Sequence, residues 1–144
     1  MDPQDRQKLL DRIRAIPIVD TLKLEVTRLE DDVCEVRVPH ARKWDGVFES
    51  FHGGLLMTVA DTAACFAAFT RAGADRYMTT TDMNIRFLAP CLTDLIAKAR
   101  IIKFGRTLCP VEVDLFDTNY KKVAVAQVSY FLLDKIPHKG TTKS

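Results

Sequence analysis

The segment at residues 54–71 constrains the fold more than any other part of the sequence. Apolar residues occupy almost the entire circumference of the helix that this segment predicts, so the helix should be buried on all sides. Gly73 follows it as a stop signal. The longest apolar run, at residues 55–69, is interrupted by Asp61 and is too short to span a bilayer. Other elements of the chain must therefore wrap around this helix.

Most of the remaining sequence has the period of two that is typical of strands. Before the helix, residues 22–27 and 34–38 alternate apolar and polar side chains, and the polar Glu30-Asp31-Asp32 between them predicts a hairpin turn. Residues 3–15 have apolar side chains on one side among charges, which predicts an amphipathic N-terminal helix. Residues 39–53 lack periodicity and predict a long loop. Four further strands are predicted at residues 77–89, 95–104, 108–116 and 123–133.

These elements predict an α+β domain in which a mostly antiparallel sheet of about six strands wraps around one long helix. The 144 residues suit a single domain. Its core is expected at about residues 20–133, followed by a polar, frayed tail at 137–144. One helix is too narrow to cover one face of a six-stranded sheet, so we expect a second copy of the chain to share the burial.

Net charge and cysteine spacing argue against several classes of function. A net charge of +2 is too small to favour binding to nucleic acid or to a membrane surface. The four cysteines are far apart in apolar surroundings, which predicts reduced core thiols rather than disulfides or zinc ligands, so we expect no metal. The polar start of the sequence does not resemble a signal peptide. Together these features predict a cytoplasmic protein.

Two glycines, in the sequence His52-Gly53-Gly54, stand where the chain enters the helix. Glycines let another molecule approach the backbone closely. The first backbone N–H groups of a helix have no partner within it and favour negative charge. A thioester or ester carbonyl placed there would have its developing oxyanion stabilised. The alternative is a glycine-rich helix entry chosen only for tight packing.

Asp61 is a single carboxylate within the otherwise apolar helix, which is costly unless the group is paired, hydrogen-bonded or in contact with water. It follows Gly53 by eight residues, or about 12 Å along the helix axis. A catalytic carboxylate has to come within about 3 Å of the atom that it serves, so one helix cannot carry both groups of one site. Two antiparallel helices of a symmetric dimer could place Gly53 of one chain opposite Asp61 of the other. Alternatively, the hydroxyls of Thr58 and Thr62, or solvent, could satisfy Asp61.

The combination of the His52-Gly53-Gly54 entry with Asp61 resembles the hotdog-fold acyl-CoA thioesterases, specifically the phenylacetate-pathway, or PaaI-type, branch. The resemblance covers roughly residues 20–133. It implies a long helix wrapped by an antiparallel sheet, and obligate homodimers that often pair into homotetramers. It also implies an acyl-CoA substrate, with no cofactor other than this coenzyme A thioester itself. Further matches are Asp82-Met83-Asn84-Ile85, Phe87 and Ala89-Pro90 on the strand after the helix, and Gly105-Arg106-Thr107-Leu108 at a later turn.

The resemblance implies a role for each residue that matches the family pattern. Gly53 matches the residue whose N–H polarises the thioester carbonyl, and Asp61 matches the carboxylate that acts as general base or nucleophile. His52 matches a residue that braces the loop. Thr80 matches a hydroxyl near the carboxylate that could orient water, or it is simply one β-branched residue of a Thr-rich strand. The substrate-binding candidates are Gly54, Phe48, Phe51 and Met57 for the acyl group, and Lys103 and Arg106 for the CoA phosphates, unless these cations are only a solvated surface.

One position departs from the family pattern. The family usually has Asn or Gln six residues before the histidine, where this sequence has Gly46. Asp45 or Glu49 could take its place, but a second carboxylate near Asp61 would repel an anionic intermediate. Whether this sequence retains the full activity of the family depends on what replaces the amide.

Hydrolysis of an aryl or medium-chain acyl-CoA is the function we expect, and two others stay open. A hotdog hydratase would use an Asp and a His to move protons at the acyl α and β carbons, and an Asp within the helix fits hydrolysis better. A non-catalytic acyl-CoA-binding sensor is the other alternative. No Gly-x-Ser-x-Gly motif is present for a serine triad. Cys65 could share the face of Asp61, but no basic residue is near it to activate a thiolate.

Overall fold

The computed structural model describes residues 1–134, so the predicted polar tail at 137–144 lies outside the described residues. Within them, a 3₁₀ turn at Arg42–Trp44 accompanies the regular elements. The helices are α1 (Pro3–Arg14), α2 (Pro17–Leu22) and α3 (Gly53–Ala72), and the strands are β1 (Glu25–Glu30), β2 (Val33–Val38), β3 (Tyr77–Phe87), β4 (Leu95–Ile101), β5 (Leu108–Phe116) and β6 (Lys122–Leu133).

The six strands form one antiparallel sheet in the order β1-β2-β4-β5-β6-β3, and α3 lies across its inner face. This α+β arrangement is the hotdog fold expected from the sequence. By length and composition alone α3 could cross a membrane. Its apolar residues instead pack against the sheet as the centre of the core. The buried residues of α3 are Leu56, Val59, Ala60, Ala63, Ala64, Phe66, Ala67, Ala68 and Phe69.

The predicted N-terminal helix is confirmed as α1. The side chain of Asp2 accepts a hydrogen bond from the N–H of Gln4, and Pro3 occupies the first turn, where its missing N–H costs nothing. Leu9, Leu10 and Ile13 form the buried side of α1, which contacts α3. The N-terminal helix therefore covers part of the core that the sheet leaves open.

The strand predicted at residues 22–27 is wrong at its start, because a short helix, α2, occupies Pro17–Leu22. Proline is well suited to the first helical position, and Lys23 closes α2 in the left-handed conformation at φ 55°. The side chains of Leu22 and Leu24 are buried, as a strand would also require. Burial at alternate positions therefore did not distinguish the end of a helix from a strand.

Strand β3 contains a β-bulge that changes which of its side chains face α3. Thr80 pairs with Tyr130 of β6, and Asp82 pairs with Ser129, so Thr81 is the extra residue. Strict alternation, as predicted from the sequence, puts Thr80 on the face opposite Met83 and Phe87. The bulge instead turns Thr80 toward α3, on the same side of the strand as these two residues.

Within one chain, α3 is not buried on all sides, contrary to the sequence prediction. Gly54 is exposed, and Met57, Thr58, Asp61 and Cys65 are only partly buried along one face of the helix. Strand β3 is the adjacent edge of the sheet, and its residues 79–82 are exposed. One face of α3 and one long sheet edge are therefore uncovered side by side.

Candidate functional site

The entry of α3 leaves one backbone donor free. His52 is the N-cap residue, and its Nδ1 accepts a hydrogen bond of 2.9 Å from the N–H of Gly54. The N–H groups of Leu55 and Leu56 both donate to the carbonyl of His52. Within residues 1–134, the N–H of Gly53 has no acceptor. Of the first helical turn, Gly53 is thus the residue whose N–H can bind an external oxygen.

The two glycines are needed for different contacts. A Cβ on Gly54 would lie 3.1 Å from His52 Nδ1, so a side chain there would press against the capping imidazole. A Cβ on Gly53 would lie 3.3 Å from the ring of Phe87, at the end of β3. Close packing is therefore one reason for both glycines, whereas the free N–H belongs to Gly53 alone.

The loop before α3 is held by backbone hydrogen bonds. His52 N–H donates to Trp44 O at 2.8 Å, Gly46 N–H donates to Ser50 O at 2.8 Å, and Phe51 N–H donates to Cys91 O at 2.9 Å. A Cβ at Gly46 would lie 3.3 Å from Cδ2 of His52. The position of the family amide therefore lies against the capping histidine.

Neither carboxylate near Gly46 hydrogen-bonds to Asp61. Asp45 Oδ1 lies 2.7 Å from Nε2 of His40, within the same loop. Glu49 is exposed and has the left-handed φ of 58°. Within one chain, Asp45 is thus bound to His40, and Glu49 faces solvent.

The carboxylate of Asp61 is held through one of its two oxygens. Thr80 Oγ1 donates to Oδ1 at 3.0 Å, and the phenol of Tyr130 donates to the same Oδ1 at 2.5 Å. The hydroxyls of Thr58 and Thr62 donate instead to carbonyls of α3, so the prediction that they could satisfy Asp61 is wrong. Within the described residues Oδ2 of Asp61 accepts no hydrogen bond, which leaves it available to water or substrate.

Tyr130 is the site residue that sequence reasoning missed. It occupies an inward-facing position of β6, and the next inward-facing residues on either side are Val128 and Leu132. In the sequence it is therefore indistinguishable from a residue that only packs in the core. Burial raises the pKa of the Tyr130 phenol, and the charge of Asp61 acts in the same direction. The available signal was its hydroxyl, because a buried tyrosine usually needs a hydrogen-bond partner.

A cleft of about 360 Å³ opens beside Gly53. The rim is apolar, since the side chains of Phe87 and Leu88 line the cleft and are about half exposed. Of the predicted acyl-pocket residues, Phe51 lines the cleft, whereas Phe48 is 90% exposed outside it. The lining residues are Ser50, Phe51, Gly53, Leu56, Phe87, Leu88, Ala89, Pro90 and Cys91.

Gly54 and Met57 lie on the partly exposed face of α3, and Met57 precedes Asp61 by one turn. They do not line the cleft beside Gly53. Within one chain, Gly53 with its cleft and Asp61 with its donors are therefore two separate groups, about 12 Å apart along α3.

Lys103 and Arg106 lie in the exposed turn between β4 and β5. That turn is beside the C-terminal end of α3, because Ile101 N–H donates to Asp32 O and Asp32 N–H donates to Thr70 Oγ1. The 20 residues of α3 span about 30 Å, so one chain does not bring these cations together with the head of the helix. A larger cavity of about 580 Å³ between α1 and this end of α3 contains none of the predicted site residues.

Cys65, one turn after Asp61, is not a thiolate at neutral pH. Burial, together with the charge of Asp61, raises its pKa to about 12. Among residues 1–134, no group of three His, Cys, Asp or Glu side chains could hold a metal ion. The candidate groups among the described residues are therefore Gly53, Asp61 and the donors around them.

Comparison with known families places the chain among characterised folds. The model of the Thioesterase superfamily matches residues 48–124, more than half of the chain. A candidate esterase of Halobacterium salinarum is 30% identical over 125 residues, which cover 78% of this chain and 82% of the relative. Human acyl-coenzyme A thioesterase 13 is 31% identical over 86 residues, which cover 58% of this chain and 59% of that protein. The family model spans Gly53, Asp61 and Thr80, and Tyr130 lies just beyond it.

Solved structures share the whole architecture. A thioesterase family protein from Silicibacter pomeroyi superposes with a TM-score of 0.84 at 23% identity, covering 91% of this chain and 99% of that one. The PaaI protein from the phenylacetic acid degradation operon of E. coli superposes with a TM-score of 0.82 at 18% identity, covering 90% and 93%. At these identities the structural likeness speaks for the fold.

Proposed function

The chain belongs to the thioesterase superfamily and is a thioester hydrolase, and we propose that its substrates are acyl-CoAs with an aryl or medium-chain acyl group. The free N–H of Gly53 is the observation that carries the proposal. It stands at the head of a helix, beside an apolar-rimmed cleft, where a thioester carbonyl can accept it. A flat aryl or medium-length alkyl group suits the aromatic and aliphatic lining of Phe51, Leu56 and Phe87.

In the proposed reaction, the thioester oxygen accepts the N–H of Gly53, and the N-terminal dipole of α3 stabilises the negative charge that develops on it. Oδ2 of Asp61 takes a proton from a water molecule as the water oxygen bonds to the carbonyl carbon. The tetrahedral intermediate then collapses. Its C–S bond breaks, and the sulfur of coenzyme A leaves with the electron pair and takes up the proton.

The alternative is direct attack of Oδ2 on the carbonyl carbon, which gives an acyl–Asp61 anhydride that water then hydrolyses. One turnover in H₂¹⁸O detects the anhydride when water attacks its Asp61 carbonyl, whereas attack at its acyl carbonyl labels only the acid, as direct hydrolysis does. Attack by water puts the label only in the released acid. Attack by water on the anhydride at the Asp61 carbonyl would put ¹⁸O in the protein, which mass spectrometry of the Asp61 peptide detects.

The uncovered face of α3 supports a homodimer that completes the site. Long exposed edges such as β3 invite pairing with another strand, and a second copy can cover this edge and the adjacent helix face together. If the two-fold axis passes near Met57, midway between Gly53 and Asp61, each N–H faces the carboxylate of the partner subunit. Two identical sites result. Pairing of two dimers into a tetramer rests on the family resemblance.

The same dimer gives Lys103 and Arg106 a role in binding the CoA phosphates. With antiparallel helices centred at Met57, the C-terminal end of α3 of the partner subunit extends roughly 16 Å past Gly53. The β4–β5 turn lies at that end, so its two cations lie beyond the cleft, on the side of the leaving thiol.

Four free cysteines fit a reducing compartment, and we place the protein in the cytoplasm, without nucleic-acid or membrane partners.

The test is release of free thiol from a panel of acyl-CoAs by the native protein and by the variant Asp61→Asn. Asp114→Asn is the matched control, because Asp114 lies on β5 beside Lys122 on the sheet surface. We expect turnover to fall by at least 100-fold in Asp61→Asn and to be unchanged in Asp114→Asn. Equal turnover by Asp61→Asn would remove the carboxylate from the mechanism.

The two alternative functions give different results in the same assay. Tight acyl-CoA binding without thiol release from any substrate would identify a sensor. Loss of enoyl-CoA absorbance without thiol release would identify a hydratase.

A further inference from the structure

Two hydroxyls converge on the same oxygen of Asp61, and one of them comes from the core. The phenol of Tyr130 and the hydroxyl of Thr80 both donate to Oδ1. The phenol also contacts the backbone carbonyl of Asp61. Tyr130 is 2% exposed, whereas Thr80 is exposed in the single chain. The carboxylate is thus held through Oδ1 only, and one of its two donors lies in the core.

We propose that Tyr130 is a positioning residue that fixes the Asp61 carboxylate so that Oδ2 alone is presented to water. The proposal rests on the function proposed above for Asp61. The χ2 torsion of an aspartate is broad, so the plane of a free carboxylate could rotate away from the substrate. Two donors on Oδ1 remove that freedom, and they leave Oδ2 as the one oxygen without a partner in the described residues.

The phenol is suited to this task because it stays a donor. Burial raises the pKa of the phenol, and the charge of Asp61 acts in the same direction. At the pH of the reaction Tyr130 therefore cannot become an anion that would repel the carboxylate.

The backbone makes this contact specific. Tyr130 lies directly opposite Thr80 in the β3–β6 ladder, at the last pair before the bulge. Directly opposite residues place their side chains on the same side of the sheet, which for this pair is the side of α3. Removing either hydroxyl leaves the other in place. The two donors can therefore be tested separately and together.

The experiment compares Tyr130→Phe with the matched control Tyr120→Phe, since Tyr120 is 61% exposed in the β5–β6 turn. The Phe variant keeps the buried ring and removes only the hydroxyl. We expect kcat to fall by about 10-fold, the effect of one hydrogen bond of about 1.4 kcal/mol, while KM changes by less than about two-fold. Tyr120→Phe should match the native protein in both constants.

The rate of Tyr130→Phe measured in the Asp61→Asn background distinguishes a positioning role of Tyr130 from a role in folding. If Tyr130 acts through the carboxylate, adding Tyr130→Phe to Asp61→Asn leaves the residual rate unchanged, and a further 10-fold fall would overturn the proposal. A native kcat in Tyr130→Phe would also overturn it. That result would leave the proposed function intact, provided that Asp61→Asn alone is inactive. If Asp61→Asn is fully active, the proposed function itself fails.

Discussion

Thr80 and Tyr130 face each other across the β3–β6 ladder and donate to the same oxygen of Asp61. This pairing links the edge strand of the sheet to the middle of α3 at the carboxylate of Asp61. It depends on the bulge at Thr81, because a regular strand would alternate Thr80 away from the residues that face the core. Bulges near active sites commonly re-aim a side chain in this way.

The first prediction tests the hydroxyl that the bulge directs at Asp61. Thr80→Val keeps the β-branched shape and removes the donor, so we expect kcat to fall by about 5- to 10-fold with little change in melting temperature. Thr81→Val is the matched control, since the Thr81 hydroxyl donates to Ser129 O rather than to the carboxylate. Equal losses in both variants would show that strand packing, rather than the bond to Asp61, causes the effect.

The second prediction isolates the N–H of Gly53. Gly53 is the first helical residue, a position where proline is well tolerated, and the preceding His52 has the extended ψ of 131° that proline favours. Gly53→Pro removes an N–H that has no acceptor in the described residues, so the helix loses no hydrogen bond. We expect thioester hydrolysis to fall by about 100-fold or more while the protein stays folded.

Gly53→Ala is the control for that experiment, because it adds a carbon but keeps the N–H. Its Cβ would lie 3.3 Å from the Phe87 ring, so a modest loss is expected, and Phe87→Leu in the same chain should recover it. If Gly53→Ala is as inactive as Gly53→Pro, even with the Phe87 ring removed, then the oxyanion role is wrong.

The third prediction concerns the bracing role of His52. His52→Ala removes the side chain that caps Gly54 N–H, which should cost about 1 kcal/mol of stability and lower kcat through a looser helix entry. Asparagine is a good N-cap, so His52→Asn should keep most of both. A His52→Asn protein that is stable but inactive would instead indicate that the imidazole transfers a proton. Thermal melts and steady-state rates of the two variants decide between these roles.

The sequence was sufficient for the architecture because its strongest pattern, the apolar helix with strands on both sides, has few ways to be buried. It also located Asp61 and the glycine entry, since a charge within an apolar helix and paired glycines are visible as exceptions. The α2 helix escaped detection because Leu22 and Leu24 satisfy the burial of a strand equally well.

The contacts around Asp61 could not be read from the pattern. The bulge shifts the alternation of β3 by one residue, and nothing in a Thr-rich run marks which threonine is the extra one. Tyr130 follows the same alternation as the core residues of β6, so its position in the sequence predicts burial but not the partner of its hydroxyl. Both contacts follow from the strand register, which places Thr80 opposite Tyr130, 50 positions later in the sequence.

The fourth prediction tests the cations proposed to bind CoA phosphates. Lys103→Glu with Arg106→Glu should raise KM for an acyl-CoA by about 10-fold and leave kcat nearly unchanged, because these side chains bind a part of the substrate remote from the reacting carbon. The same acyl group on pantetheine, which lacks the nucleotide phosphates, should show no effect. Lys23→Glu, at the end of α2, is a control of equal charge change per residue. An equal rise of KM for the pantetheine thioester would contradict a phosphate site.

The last prediction is a loss of stability in alkaline solution. Burial raises the pKa of Cys34 and of Cys65 to about 12, and that of Cys109 to about 11, from an ordinary value of 9.0. Between pH 9 and these values the unfolded chain gives up thiol protons that the folded chain keeps, so the free energy of unfolding decreases as the pH rises. Urea titrations at pH 7, 8, 9 and 10 should give a flat response up to about pH 8 and a fall above about pH 9. Replacing Cys34 and Cys109 by alanine lowers stability at every pH but should make the fall shallower; an unchanged slope would show that other groups cause it.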